Sequence, residues 1–235
     1  MKLSIMQPYF FPYLGYFALI KHTDHFVLFD TPQFIRHGWI ERNRILNSKD
    51  GWQYIKVPLV KHERSTNIKD IKIRNDENWW GKIFAQLTHY KKKAPFYKDI
   101  IEVLKTISAY QTDSITKLNA YSLKTICDYL NISFAYSIFS EMNLNIDEVN
   151  EPDEWALEIS KALGATAYYN PPGGKKFFDK DKYEKQNIEL KFLDIKLNEY
   201  DQKRTSFEPG LSIIDVMMFN SKNTINEMLC DYEFV

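Results

Sequence analysis

The residue types best suited to chemistry lie early in the chain. Gln7 follows a short apolar run, Leu3 to Met6, and offers both a hydrogen-bond donor and an acceptor. Asp30 ends a second apolar run, His25 to Phe29, and Gln33 lies just past it. Arg42 and Asn43 form a donor-rich corner suited to a phosphate or a developing oxyanion. A carboxylate such as Asp30 can orient a nucleophile and accept its proton. Arg42, Asn43 or Gln7 could stabilise an oxygen that gains charge. The competing expectation for Asp30 is structural, because an acid ending an apolar strand needs a partner and Arg42 is the nearest charge match. Tyr9, Phe10, Tyr13 and Tyr16 supply faces on which a sugar or a nucleotide base can stack, although an ordinary core uses the same rings.

These residues must be positioned by the elements around them. Pro8 and Pro12 fix φ and withhold two backbone donors, so Gln7 to Leu14 is expected to be a shaped loop. Gly15 permits a close approach, and Tyr16 to Ile20 begins a helix. The run ending on Asp30 is rich in β-branched and aromatic residues and reads as a strand. Strand, loop, helix and strand make a βαβ unit with parallel strands. Ligands of such sheets sit beyond the C-terminal strand ends, which places Gln7 and Asp30 at one rim.

The opening Gln7-Pro8-Tyr9-Phe10-Phe11-Pro12-Tyr13-Leu14-Gly15-Tyr16-Phe17, the strand ending on Asp30 with Gln33 after it, and Trp39-Ile40-Glu41-Arg42-Asn43 resemble the WbqC-like proteins. Tyr200-Asp201-Gln202, Phe207 and Pro209 to Asp215 look like the family's C-terminal signature, so the resemblance spans essentially the whole chain as a single domain, residues 1–235. It implies a part in O-antigen and other surface-polysaccharide biosynthesis. The implied reaction is transfer of glycine or another acyl group to the amine of a nucleotide-activated or lipid-linked amino sugar. The co-substrate would be an activated acyl donor: a coenzyme A thioester, a carrier-protein thioester or a charged tRNA. An acyl carrier protein is thus a possible partner. Two other readings stay open. One is a nucleotide-handling, adenylate-forming enzyme, although Gly15-Tyr16 stands where such enzymes carry histidine. The other is a noncatalytic sugar-nucleotide-binding protein.

Downstream, Trp52 to Val57 alternates as a strand ending at Pro58, and Ile68, Ile71 and Ile73 suggest its partner across a polar loop. From Asn78 to Leu130 three helical patterns follow, expected to form a helical subdomain (78–130) inserted in the middle of an α/β fold with a mainly parallel sheet. Ile132 to Ser137 and Ala165 to Tyr169 read as strands, with a helix from Asp153 to Leu163 between them and Gly164 as its C-terminal stop. Ile188 to Leu193 is a further strand, and Ser212 to Phe219 a closing helix. Asn170-Pro171-Pro172-Gly173-Gly174-Lys175 is a Gly-rich turn after a strand, so Asn170 and Gly173 are candidate phosphate or sugar contacts. It lacks the Walker spacing. Tyr200 and Gln202 are candidate substrate contacts through the resemblance. Ser212 suits an N-cap, and Asp215 stands where a capping-box acid would.

Composition excludes several classes. Lys+Arg 31 against Asp+Glu 31 gives a net charge of zero, which argues against a nucleic-acid surface and weighs mildly against tRNA as donor. No apolar stretch nears the roughly 20 residues needed to cross a bilayer, and Met1 runs straight into a strand pattern. A cytoplasmic protein is the expectation. Cys127 and Cys230 show no metal or redox spacing and are read as buried free thiols. The five histidines form no metal-binding pair, and no metal is expected; His22, His25 and His37 remain outside candidates for a base.

Overall fold

The two apolar runs flanking the aromatic loop pair as parallel strands, with Ile5 beside Val27 and Met6 beside Leu28. The structure is a computed structural model and describes residues 1–235. Along the chain run β1 (Lys2–Met6), α1 (Leu14–His22), β2 (His25–Leu28), β3 (Arg42–Leu46), β4 (Trp52–Lys56), α2 (Trp79–Leu87), α3 (Tyr97–Ser108), α4 (Ile115–Leu130), β5 (Tyr136–Ile138) and α5 (Glu154–Ala162). Then follow β6 (Ala167–Asn170), α6 (Lys180–Glu184), β7 (Glu189–Ile195), α7 (Ile213–Phe219), α8 (Lys222–Met228) and β8 (Tyr232–Phe234).

Six strands form one sheet in the order β5-β2-β1-β6-β7-β8, parallel except for the β7–β8 pair. The chain builds outward from β1 through β2 to β5, then crosses back to lay β6 against the other side of β1. The strand order therefore reverses between β1 and β6, which is the point where doubly wound sheets open a crevice beyond their C-terminal ends.

Alternation along the strands sends side chains to two covered faces. Leu3, Ile5, Val27, Tyr168, Leu190 and Phe192 join Ala156, Leu157 and Ile159 of α5 in a smaller apolar cluster. Phe26, Leu28, Ala167, Tyr169, Leu193 and Ile195 face the larger one. That larger cluster continues through α1, α3, α4 and α7, so the helical block 78–130 shares its core with the sheet. Its helices carry their own stops: Asn78 caps α2 by accepting from the Gly81 N–H, and Asn131 ends α4 in the left-handed region at φ 58°. Gly164, at φ 65°, ends α5 as its position suggests.

Three sequence expectations are corrected. The partner of β4 is β3, in a separate two-stranded hairpin, and Ile68–Asp70 is instead a short 3-10 turn. The charge of Arg42 and Arg44 disguised a strand whose alternate residues, Asn43 and Ile45, are buried. In the run Ile132 to Ser137, sheet pairing begins at Tyr136. Cys127 is buried as expected, but Cys230 is exposed after α8.

Candidate functional site

The aromatic loop after β1 is held through its carbonyls. The Tyr16 hydroxyl donates to Gln7 O at 2.9 Å, and Asn119 of α4 donates to Pro8 O at 2.8 Å and to Ile40 O at 3.0 Å. Asn43 donates to Phe10 O at 3.1 Å, Ser212 to Phe11 O at 2.8 Å, and the Ile213 N–H to Pro12 O at 2.9 Å. Phe11 sits at φ 42°, a conformation that costs free energy outside glycine and persists only where the surroundings impose it. Four separate elements thus fix one loop, and the loop shapes the rim above the strand-order reversal.

At that rim lies a cavity of about 680 Å³. Gln7 and Tyr9 enter it from the loop after β1, Thr31 and Pro32 from the segment after β2, Trp155 from the first turn of α5, and Asn170, Phe177 and Phe178 from β6 and its loop. No charged residue lines it. Phe29 and Trp155 pack with ring centroids 5.5 Å apart, and Tyr168 meets Phe178 edge-on at 5.6 Å. Burial raises the pKa of the Tyr9 and Tyr168 phenols, so both stay neutral. Asn170 donates to the Tyr168 hydroxyl at 2.6 Å, and a Cβ on Gly174 would lie 2.4 Å from its Oδ1. A methyl on Gly174 would therefore displace the Asn170 amide. No protein group hydrogen-bonds the side-chain amide of Gln7, whose backbone carbonyl is already taken by Tyr16. Such a space suits a flat, polar but uncharged group held between rings and amides.

Met6 and Tyr9 also wall a second chamber of about 380 Å³, closed by Tyr13, Trp39, Asn43, Arg44, Leu197 and Gly210 among others. The two spaces adjoin along the rim. A third depression, of about 560 Å³, lies at the hairpin and α2 and is net basic: Arg36, Lys56, Lys61, Arg74 and Lys82 face only Glu41 and Glu77. Lys56 pairs with Glu41, and Arg74 and Lys82 pair with Glu77.

The sequence-predicted residues divide accordingly. Gln7, Tyr9 and Asn170 meet at the larger cavity; Tyr9, Tyr13 and Asn43 line the smaller. Phe10 of the loop and Tyr16 of α1 are wholly buried in the core, and they offer no face to a ligand. Asp30 is buried and meets Ser140 of the turn after β5, not Arg42. Burial raises its pKa, and the Ser140 bonds partly offset that. Arg42 instead donates to His37 O at 2.5 Å and lies 3.9 Å over the Tyr54 ring. The expected Asp30–Arg42 pair does not form, since β3 carries Arg42 away from the sheet. Gln33 is exposed and donates to Arg64 O at 2.7 Å. Of Gln7, Tyr9, Asp30, Gln33 and Arg42, the first two line the larger cavity and the other three do not.

Gly173 is exposed, and the turn around it spends its own N–H groups: those of Gly174, Lys175, Phe177 and Phe178 bond to carbonyls within the turn. That leaves little of a phosphate cradle. Tyr200 and Gln202 belong to a buried network around Asp215. Tyr200 donates to Oδ1 at 2.5 Å, Tyr90 to Oδ2 at 2.6 Å, and the Gln202 amide to Oδ1 at 3.1 Å. Burial pushes the Asp215 carboxyl up to about 6 despite these donors. The capping-box expectation for Asp215 is corrected, although Ser212 does cap α7 through the Ile214 N–H. His22 bonds to Leu229 O, and His25 opens β2 at the opposite edge of the sheet from the rim. Exposed His37 lines the third depression. Trp155, Thr31, Phe177, Phe178 and Arg44 were not singled out in the sequence.

The strand order and the cavity at its reversal define a doubly wound α/β protein with a crevice beyond the C-terminal strand ends. A family model, "WbqC-like protein family", matches residues 7–227, and the chain belongs to that family. An uncharacterized protein of Mycobacterium tuberculosis, Rv1507c, is 29% identical over 223 residues, covering 93% of each chain. No solved structure matches the chain significantly. No helix is long and apolar enough to cross a membrane.

Proposed function

We propose that the protein transfers an acyl group to the amine of an amino sugar whose ring lies in the switch-point cavity. One observation carries this reading: the cavity is walled by Tyr9, Trp155, Phe177 and Phe178, its main polar groups are the amides of Gln7 and Asn170, and it contains no charge. Aromatic rings cover the apolar faces of a sugar while amides read its hydroxyls. The absence of charge also serves the chemistry. Burying an ammonium without a counter-charge is costly, so the cavity favours the neutral amine, which is the nucleophile. The amine nitrogen attacks the acyl carbonyl, the N–C bond forms and the C–S or C–O bond to the donor breaks. The surplus amine proton leaves with the departing thiolate or alkoxide. Gln7, with a free amide N–H, can donate to the carbonyl oxygen as it gains charge. Asp30, tied to Ser140, acts by holding the ends of β2 and β5 together.

The same lack of an acid or base supports a second reading, in which the cavity only binds a sugar nucleotide. Incubation with amino-sugar nucleotides and a panel of acyl donors, followed by mass spectrometry, separates them. Acylated sugar supports transfer. Binding without product under every donor supports the second reading, and no binding removes both.

A further inference from the structure

The chamber beside the switch-point cavity holds a cation without a counter-charge. Arg44 is the one charged residue lining it, and it enters no ion pair. A guanidinium N–H donates to Gly210 O at 3.1 Å, while its Nε is buried without a partner. The rings of Trp39 and Trp52 stand 5.6 and 5.3 Å from the guanidinium carbon and hold it in place. Asp194, whose charge is felt at Tyr13, does not line the chamber. The half-buried guanidinium has Gly210 O as its one hydrogen-bond partner, so it keeps N–H groups to offer an anion. Its planar fork of N–H groups matches phosphate oxygens.

We propose that Arg44 recognises the phosphate of a glycosyl phosphate or diphosphate. The assignment rests on the amino-sugar reading above for what precedes the phosphate. Because Met6 and Tyr9 wall both spaces, a sugar in the neutral cavity directs its anomeric phosphate toward Arg44. The neutral cavity has no cation of its own with which to hold it. Beyond the phosphate, exposed Trp39, Trp52 and Leu197 offer apolar surface to the tail that follows, a nucleoside or a polyprenyl chain. Substrates of this protein are then phosphate-activated sugars, made by a nucleotidyl- or phosphosugar-transfer reaction upstream.

Tryptophan fluorescence tests this directly, since Trp39 and Trp52 flank the guanidinium. Inorganic pyrophosphate, uridine diphosphate and geranyl diphosphate are titrated into wild type, Arg44→Gln and Arg44→Lys, with melting temperatures as the folding control. Wild type should bind pyrophosphate, Arg44→Gln should weaken all three ligands at least tenfold, and Arg44→Lys should recover part of the loss. Tighter binding of uridine diphosphate or of geranyl diphosphate identifies the tail, and either retains the proposal. If Arg44→Gln does not fold, Arg44→Lys and the loss of wild-type binding with added salt decide it. Pyrophosphate that binds wild type and a folded variant alike, or does not bind wild type at all, overturns it. Phosphate binding through Arg44 without any affinity for amino-sugar phosphates would leave this site standing and remove the sugar reading. Free amino sugars bound equally by wild type and Arg44→Gln, with no gain from a phosphate, would do the reverse.

Discussion

Ser140 binds both carboxylate oxygens of Asp30, its N–H donating to Oδ1 at 3.0 Å and its hydroxyl to Oδ2 at 2.7 Å. The contact ties the end of β2 to the turn after edge strand β5, and it directs Asp30 away from the cavity that its chain neighbours Phe29 and Thr31 line. Of the two expectations for Asp30, a base or a structural partner, these contacts suit the second, with Ser140 in the place of Arg42.

A brace and a base respond differently to substitution. Ser140→Ala removes a hydrogen bond to a charged, buried group and should cost about 1.5–3 kcal/mol of stability. Asp30→Asn can still accept from the Ser140 N–H and donate to the Ser140 hydroxyl, but it exchanges charge-assisted bonds for neutral ones and should lower the denaturant midpoint modestly. Ligand affinity should survive in both variants once folded. A fully stable Asp30→Asn protein that binds sugar but has lost turnover would return Asp30 to catalysis.

The Asp215 network predicts a pH dependence whose sign follows from its pKa. The folded value, about 6, lies above the ordinary 3.8, so the ionised form is the one penalised by folding. Stability from this group is therefore highest below about pH 4 and falls as pH rises through about 6, by roughly 3 kcal/mol in all. Asp215→Asn should remove that slope, seen as a changing difference from wild type in unfolding free energy. Tyr90→Phe or Tyr200→Phe removes a donor to the carboxylate and should shift the slope to higher pH. Parallel pH profiles for wild type and Asp215→Asn would contradict this.

Phe177 is about half exposed, so Phe177→Ala should leave the melting temperature nearly unchanged. Loss of its face from the cavity should weaken amino-sugar binding by about 0.5–1.5 kcal/mol, roughly 2–10-fold. Calorimetric titration reads this. Unchanged affinity would place the sugar elsewhere.

Gly174→Ala probes the other wall. Its φ is ordinary, so the effect is steric: the new methyl would meet Asn170 Oδ1 and, at 2.9 Å, the Phe178 ring. Displacement of the Asn170 amide should lower sugar affinity more than it lowers stability. Wild-type affinity in this variant would show that Asn170 does not read the ligand.

Much of this architecture was legible from local pattern. The apolar runs Leu3–Met6 and His25–Phe29, with Pro8 and Pro12 between, sufficed for the parallel pair and the shaped loop. What escaped depended on distant partners. Trp155 and Phe178 look like core residues until β6 is laid against β1. Asp215 finds phenols 125 and 15 residues away, which no capping pattern reveals. Arg42 and Arg44 alternate onto one face of β3, and spacing alone could not say that the chamber belongs to Arg44. The tying of Asp30 to Ser140 likewise needs β5 in place beside β2.

The claim that acyl transfer occurs at the switch-point cavity is tested most directly by Gln7→Ala, with product followed by mass spectrometry. Gln7 has a free amide at the rim, and removal of a donor to a developing oxyanion costs about 10²–10³ in kcat. The variant should keep its melting temperature and form acylated amino sugar at a rate reduced by that factor. A folded Gln7→Ala protein with wild-type kcat and KM would contradict the account.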